Sequence, residues 1–204
     1  MPVVGVLLAG GLSRRMEGGE KSFALLDGRP LIEYAAERVA RQVDTLIVNA
    51  NGDPARFAAL GLPVVADRDD SHGGPLFGIL AGMDWARANA PAANAIVTVA
   101  IDTPFIPLDL VARLVAASDD AATIRLAASG GRTHQVIALW PVEFREALER
   151  WLAEGKSRAV RDWLDTRPHV AAAFDLRAGV DPFFNINTPE DLDRAQTSFF
   201  ESGR

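Results

Sequence analysis

An α/β fold of three layers on a parallel sheet follows from three observations. Apolar runs of strand length recur along the chain, and the stretches between them repeat apolar residues at helical period, the alternation of βαβ units. Several runs are rich in Val, Ile and Leu with no polar face, as strands covered on both sides are. The 204 residues are 49% apolar and 24% charged, enough for one large core. With no linker, low-complexity stretch or fixed repeat, residues 1–204 read as a single domain.

Strands are predicted at residues 3–8, 45–49, 64–66, 95–101, 123–128, 135–140 and 183–186. Helices are predicted over 30–42, 75–89, 107–118 and 141–155, each opening on a proline, whose missing N–H costs nothing in a first turn. A last helix over 188–200 has Thr188 as its N-cap, Pro189 at its first position and acidic residues in its first turn.

Between the first strand and the first helix the sequence reads "LAGGLSRRMEGGEKS" (8–22). Gly10 and Gly11 permit close approach and inward-turned main-chain N–H groups, the makings of a phosphate cradle. Arg14, Arg15 and Lys21, with Arg29, give residues 12–29 four basic against three acidic side chains, in a chain whose net charge is −6. The loop leaves the carboxyl end of strand one, the edge where open α/β sheets bind ligands. It is neither a Walker A loop, because Glu20 separates Gly19 from Lys21, nor a G-x-G-x-x-G dinucleotide loop.

The acidic net charge leaves no global field for nucleic acid, so an anionic ligand must be held locally. The absence of cysteine excludes disulfides, thiolate catalysis and thiolate metal sites. No run reaches the roughly 18 apolar residues of a membrane span, and a soluble, cytoplasmic protein is expected. His72, His134 and His169 lack metal-ligand spacing, and Trp85, Trp140, Trp151 and Trp163 read as core. In "KSRAVRDWL" (156–164), Arg158 and Arg161 read as one helical face, either solvated or set against a ligand phosphate.

The loop resembles the signature L-A-G-G-x-x-x-R-M-G-x-x-D-K of nucleotidyltransferases. "IVNAN" (47–51), "GGPLFGI" (73–79), "IDTPFIP" (101–107) and "FFNINTPEDL" (183–192) are similar, in order and spacing, to the motifs of the molybdenum cofactor guanylyltransferase family. The resemblance spans nearly the whole chain. It implies a Rossmann-like nucleotide-diphosphosugar transferase fold. The implied reaction joins GMP from GTP to the terminal phosphate of molybdenum-loaded molybdopterin, with Mg²⁺, and releases pyrophosphate.

Residue by residue, the resemblance implies that Leu8, Ala9 and Gly10 cup the nucleotide, beside Gly11 of the cradle, that Lys21 meets the phosphates, and that Asn49 and Asp67 contact GTP. Asp102 matches the magnesium-binding aspartate, and Asn185 and Asn187 resemble the asparagines on the pterin side. Glu17 and Glu20 depart from the family's glycine and aspartate. Molybdenum insertion proteins and acceptor molybdoenzymes would be partners. Cytidylyl transfer to the same pterin, a sugar-phosphate nucleotidyltransferase and a nucleotide carrier without transfer remain as alternatives.

For catalysis, attack on the α-phosphorus creates a crowded, charged transition state that needs positioning and cations more than a nucleophilic side chain. The candidates for that work are Lys21, Arg15 and Asp102.

Overall fold

The structure, a computed structural model, describes residues 1–10, 23–68, 73–177 and 179–201. Seven strands form one sheet in the order β5-β4-β1-β6-β8-β7-β9. These are β1 (Val3–Leu8), β4 (Thr45–Asn49), β5 (Val64–Val65), β6 (Ala95–Ala100), β7 (Ile124–Ser129), β8 (Arg132–Pro141) and β9 (His169–Phe174). A separate antiparallel pair, β2 (Leu25–Leu26) and β3 (Arg29–Pro30), turns on Asp27 and Gly28, both at positive φ as a two-residue hairpin of this type requires. The helices are α1 (Leu31–Ala40), α2 (Pro75–Asn89), α3 (Leu110–Ala116), α4 (Arg145–Ala153), α5 (Val160–Leu164) and α6 (Pro189–Glu201), with 3₁₀ turns at Pro54–Leu60 and Val142–Phe144.

Strand β1 shows why the sheet is covered on both sides. Val3 and Leu7 pack into the core formed with α1 and α3, whereas Val4 and Val6 pack into the core formed with α2, α4 and α5. The period of two sends alternate side chains to opposite layers, so a strand with helices on both faces is apolar throughout. Helix α2 approaches closely through Gly78 and Gly82, four residues apart on one face. A Cβ on Gly82 would stand 2.7 Å from Val6, and one on Gly78 would stand 2.2 Å from the Asn49 side-chain oxygen. A third, smaller core of Leu26, Leu31, Ile186 and Ala195 seats the β2–β3 hairpin against α6.

Pairing is parallel across β5, β4, β1 and β6; β8 is antiparallel to both β6 and β7, and β9 is parallel to β7. From β1 the chain moves outward to β4 and β5, then returns through α2 to β6 on the other side of β1. The order therefore reverses at β1, and the carboxyl ends of β1, β4 and β6 border the crevice where such sheets hold ligands.

The strands at 3–8 and 45–49 and the helix at 75–89 match their predicted bounds. Residues 183–186 do not form the predicted strand. Phe183 and Ile186 are fully buried, but the segment's N–H groups bond to Asp181 and to the Asp102 carbonyl instead of to a sheet neighbour. The seventh strand is β9, whose alanine-rich sequence "HVAAAF" alternates toward the interior only weakly at the sheet's end. The helices predicted from 107 and 141 begin only at Leu110 and Arg145, because turn geometry occupies the residues after each proline.

Thr188 caps α6 as predicted. Its hydroxyl accepts the Asp191 N–H (3.1 Å), and the Asp191 carboxylate accepts the Thr188 N–H (3.1 Å) in return, a reciprocal capping pair. Among the described residues no helix is long and apolar enough to cross a membrane.

Candidate active site at the carboxyl edge of the sheet

At the end of β1, Leu8 and Ala9 are half-buried and Gly10 is exposed. The Ala9 N–H donates to the Asn49 carbonyl (2.9 Å), which joins the first turn to the end of β4. Gly11, Arg14, Arg15, Glu17, Glu20 and Lys21 lie outside the described residues, as does His72. The described chain resumes at Phe23, whose ring sits 5.7 Å from that of Phe57.

Asn49 is 3% exposed. Its side-chain amide donates to the Val65 carbonyl (3.1 Å) and to Asp67 (2.9 Å), while its oxygen faces Gly78 and lies 3.8 Å from where a Gly10 Cβ would stand. The second oxygen of Asp67 accepts from the Asn51 amide (2.9 Å), and the Asn51 oxygen accepts the Asp67 N–H (2.8 Å). Asn49, Asn51 and Asp67 thus form one polar unit joining the ends of β4 and β5. The buried amide is satisfied by its neighbours, as burial demands.

The amino end of α2 opens on the same edge. Gly74 has φ 90° and ψ −178°, a conformation reserved for glycine, and Pro75 occupies the first helical position. The backbone carbonyl of Arg158 is 3.8 Å from where a Gly74 Cβ would stand, and its guanidinium lies 5.4 Å over the Phe77 ring. This places Arg158 beside the α2 N-terminus. It does not share a helical face with Arg161: α5 starts at Val160, because Ser157 accepts the Ala159 N–H in a turn and its carbonyl accepts the Trp151 indole.

Asp102 follows β6. Its carboxylate accepts from the Asn185 amide (3.0 Å), and its carbonyl accepts the Ile186 N–H (2.9 Å). Asn187, two residues further on, is exposed, and its N–H donates to Asp191 (3.0 Å). The fold therefore joins Asp102 to Asn185, 83 residues apart in sequence.

One polar group here carried no motif. Ser129, at the end of β7, lies between His134 Nε2 (2.7 Å) and Asp181 (2.6 Å), and Arg132 approaches the other Asp181 oxygen at 3.4 Å. Burial pushes the His134 imidazole below its ordinary value; Asp181 opposes that and Arg132 adds to it. Burial raises the Asp181 carboxyl, but hydrogen bonds from Ser129 and the Phe183 N–H, with the nearby His134 and Arg132, bring it below the usual carboxylate value. The sequence-level signal was "DPFF", an aspartate placed to close a turn on its own backbone.

Among the described residues no cluster of three His, Asp or Glu side chains could form an all-protein metal cage. The Asp102 carboxylate offers hard oxygen donors at the sheet edge, and Mg²⁺ characteristically takes one or two carboxylates and completes its shell with water and phosphate oxygens. The residues present fit such an ion.

Residues 5–170 match the family model described as the MobA-like NTP transferase domain. A molybdenum cofactor guanylyltransferase from Bradyrhizobium sp. (strain ORS 278) is 51% identical over 195 residues, covering 95% of this chain and 92% of the relative. The enzyme of that name from Mesorhizobium japonicum is 47% identical over 196 residues, covering 95% and 94%. Among solved structures, the molybdopterin-guanine dinucleotide biosynthesis protein A from Archaeoglobus fulgidus superposes with a TM-score of 0.74 at 25% identity, covering 98% of this chain and 99% of that one. With its parallel switch-point sheet and an edge carrying Gly10, Asn49, Asp102 and Asn185, the chain belongs to the MobA-like NTP transferase family, in its molybdenum cofactor guanylyltransferase branch, and is a nucleotidyltransferase.

Proposed function

We propose that this enzyme, acting as one nucleotidyltransferase domain, transfers GMP from GTP to the terminal phosphate of molybdenum-loaded molybdopterin. A phosphate oxygen of the pterin attacks the α-phosphorus of GTP, the bond from that phosphorus to the β-phosphate bridging oxygen breaks, and pyrophosphate leaves. The observation that carries the reading is the pairing of Asp102 with Asn185 at the sheet edge, in a chain whose relatives bear that enzyme's name.

The residues divide the work. Leu8, Ala9, Gly10 and Gly11 cup the nucleotide, and Lys21 and Arg15 offset charge on its phosphates, a transition state that calls for positioned cations. Asn49 and Asp67 shape the nucleoside side, where the Asn49 amide is already committed to β5 and Asp67. The N-terminus of α2 adds a favourable end for an anion. Asp102 holds Mg²⁺, which when bound neutralises charge on the transferring phosphoryl group. Asn185 orients Asp102, and Asn187 lines the pterin side. Cytoplasmic work suits a cysteine-free chain, and molybdenum insertion proteins and acceptor molybdoenzymes are its expected partners.

The test is pyrophosphate release with molybdopterin, Mg²⁺ and GTP, CTP or ATP in turn. Release with GTP above the others is expected. Preference for CTP overturns the guanine assignment, and tight GTP binding without release overturns transfer in favour of a nucleotide carrier.

A further inference from the structure

The segment that brings Asn185 to Asp102 is fastened at its other end by side chains with no role in the reaction as described so far. Strands β7 and β8 join through Gly130 and Gly131, at φ 54° and 76°, a tight two-residue turn. Beyond the turn the register slips: Ala127 pairs with His134 but Leu126 pairs with Ala138, leaving residues 135–137 as a bulge on β8. Thr98 on β6 donates to the carbonyl of Val136 inside it (2.6 Å). The pairing puts Ser129 and His134 diagonally on one face, within reach of each other.

Hydrogen-bond directions follow from the groups. Asp181 as a carboxylate only accepts, so Ser129 spends its single proton on Asp181 Oδ1, and His134 Nε2 must carry the hydrogen that Ser129 accepts. This is the reverse of a nucleophilic serine, whose proton passes to an imidazole. The group therefore holds a shape. Asp181 Oδ1 also accepts the Phe183 N–H (2.8 Å), and the buried Phe183 ring packs tilted against His134 and edge-to-face against Phe174, at 4.8 and 5.1 Å between centroids. Four residues from Asp181, Asn185 meets Asp102.

Resting on the guanylyl-transfer reading, we propose that Ser129, His134 and Asp181 are positioning residues for the acceptor half of the site. They fix residues 181–187 so that Asn185 holds the Asp102 carboxylate in its working orientation and Asn187 faces the acceptor. The nucleotide half, built on β1, β4 and α2, does not depend on them.

Ser129→Ala and Asp181→Ala should lower kcat/KM for molybdopterin by roughly 10-fold to 100-fold, the usual effect of losing a partner that orients a ligand-bearing group. GTP affinity, titrated without acceptor and with EDTA present so that the shared Asp102 carboxylate carries no ion, should stay within about twofold, because the lost bonds lie on the other half of the edge. Asp181→Asn keeps an acceptor oxygen for Ser129 and Phe183, and should remain close to the parent enzyme.

Unchanged acceptor kcat/KM in Ser129→Ala, an equal loss of GTP affinity, or Asp181→Asn as impaired as Asp181→Ala would each overturn the proposal. Hydrogen exchange decides independently of turnover: in Ser129→Ala or Asp181→Asn, whichever folds, the Phe183 and Ile186 amides are compared with those of β1. Selective speeding at 183–186 in Ser129→Ala, with Asp181→Asn near the parent, supports the clamp; no change in Ser129→Ala, or uniform speeding, overturns it. If the parent enzyme releases no pyrophosphate from GTP and molybdopterin, the transfer reading fails instead, and the exchange result still judges the clamp.

Discussion

The two halves of the sheet edge are held by different physics. On the β1–β4–β5 side, the Asn49 oxygen lies against Gly78, and helix α2 approaches the strand end more closely than a Cβ would allow. On the β8–β7–β9 side, residues 181–187 are fastened to the antiparallel β7–β8 hairpin through Ser129, His134 and Asp181. Asp102 stands on the border, just past β6, which pairs with β1, while its carboxylate is bonded to Asn185 and its carbonyl to the Ile186 N–H of the second half. Steric changes should therefore injure the nucleotide half, and loss of a single hydrogen bond the acceptor half.

The strongest break is at the border. Asp102→Ala removes the carboxylate that both halves share, and transfer should fall by about 100-fold or more, the typical loss of a charged contact at a reacting phosphoryl group. GTP binding without metal should change far less. Steady-state pyrophosphate release and a titration with EDTA present separate the two; transfer at the parent rate in Asp102→Ala contradicts the assignment.

Gly78→Ala probes the nucleotide half by volume alone. Its methyl would lie 2.2 Å from the Asn49 oxygen, and the buried amide cannot swing aside without breaking its bonds to Val65 and Asp67. A loss of about 1–3 kcal/mol in stability is expected, the usual cost of overpacking. GTP affinity should fall with it, while acceptor binding is spared. Denaturant titration with and without GTP measures both; a variant as stable as the parent would show that α2 shifts freely.

Legibility in the sequence divides along the same line. Strands at 3–8 and 45–49 and the helix at 75–89 could be bounded from sequence because local pattern and tertiary fate agree there: apolar runs become strands covered on both faces, and Pro75 starts a helix. The acceptor half was harder. "FFNI" is as apolar as a strand; Asp181 just before it signals a turn that takes the Phe183 N–H, but nothing local says that the Ile186 N–H will go to the Asp102 carbonyl. "HVAAAF" is alanine-rich, yet pairs with β7 through its backbone. The hairpin at Asp27-Gly28 did carry a local signal, the dipeptide that favours positive φ at both turn positions. Asp102 and Asn185 could be named from motifs, but their bond and the Ser129–His134–Asp181 group depend on side chains brought together from distant segments.

A smaller effect sharpens the acceptor half from its far end. Thr188→Ala removes one side of the capping pair with Asp191 just after Asn187, and should cost about 1 kcal/mol. Because α6 packs through Ala195 beside Ile186, loosening its first turn should raise acceptor KM slightly and leave GTP binding alone. Thermal unfolding and acceptor titration of Thr188→Ala, compared with Thr188→Ser, which keeps the cap, test this.

The smallest effect is electrostatic and separates the two titrating groups of the clamp. His134 titrates below its ordinary 6.5 in the folded protein, so the unfolded chain binds the extra proton first as pH falls. Its contribution to stability is fully present above 6.5 and is lost as pH drops from there through the folded value. Asp181 is also depressed, below 3.8, so its contribution persists above that value and is lost only in stronger acid. Between about pH 7.5 and about pH 5, then, the imidazole titrates while Asp181 stays charged. Denaturant titrations at the two ends should show the parent losing more stability than His134→Gln, whose amide can still donate to Ser129 but takes up no proton. Equal losses in the two proteins would mean that His134 titrates alike folded and unfolded, and that the clamp leaves its imidazole as hydrated as in the open chain.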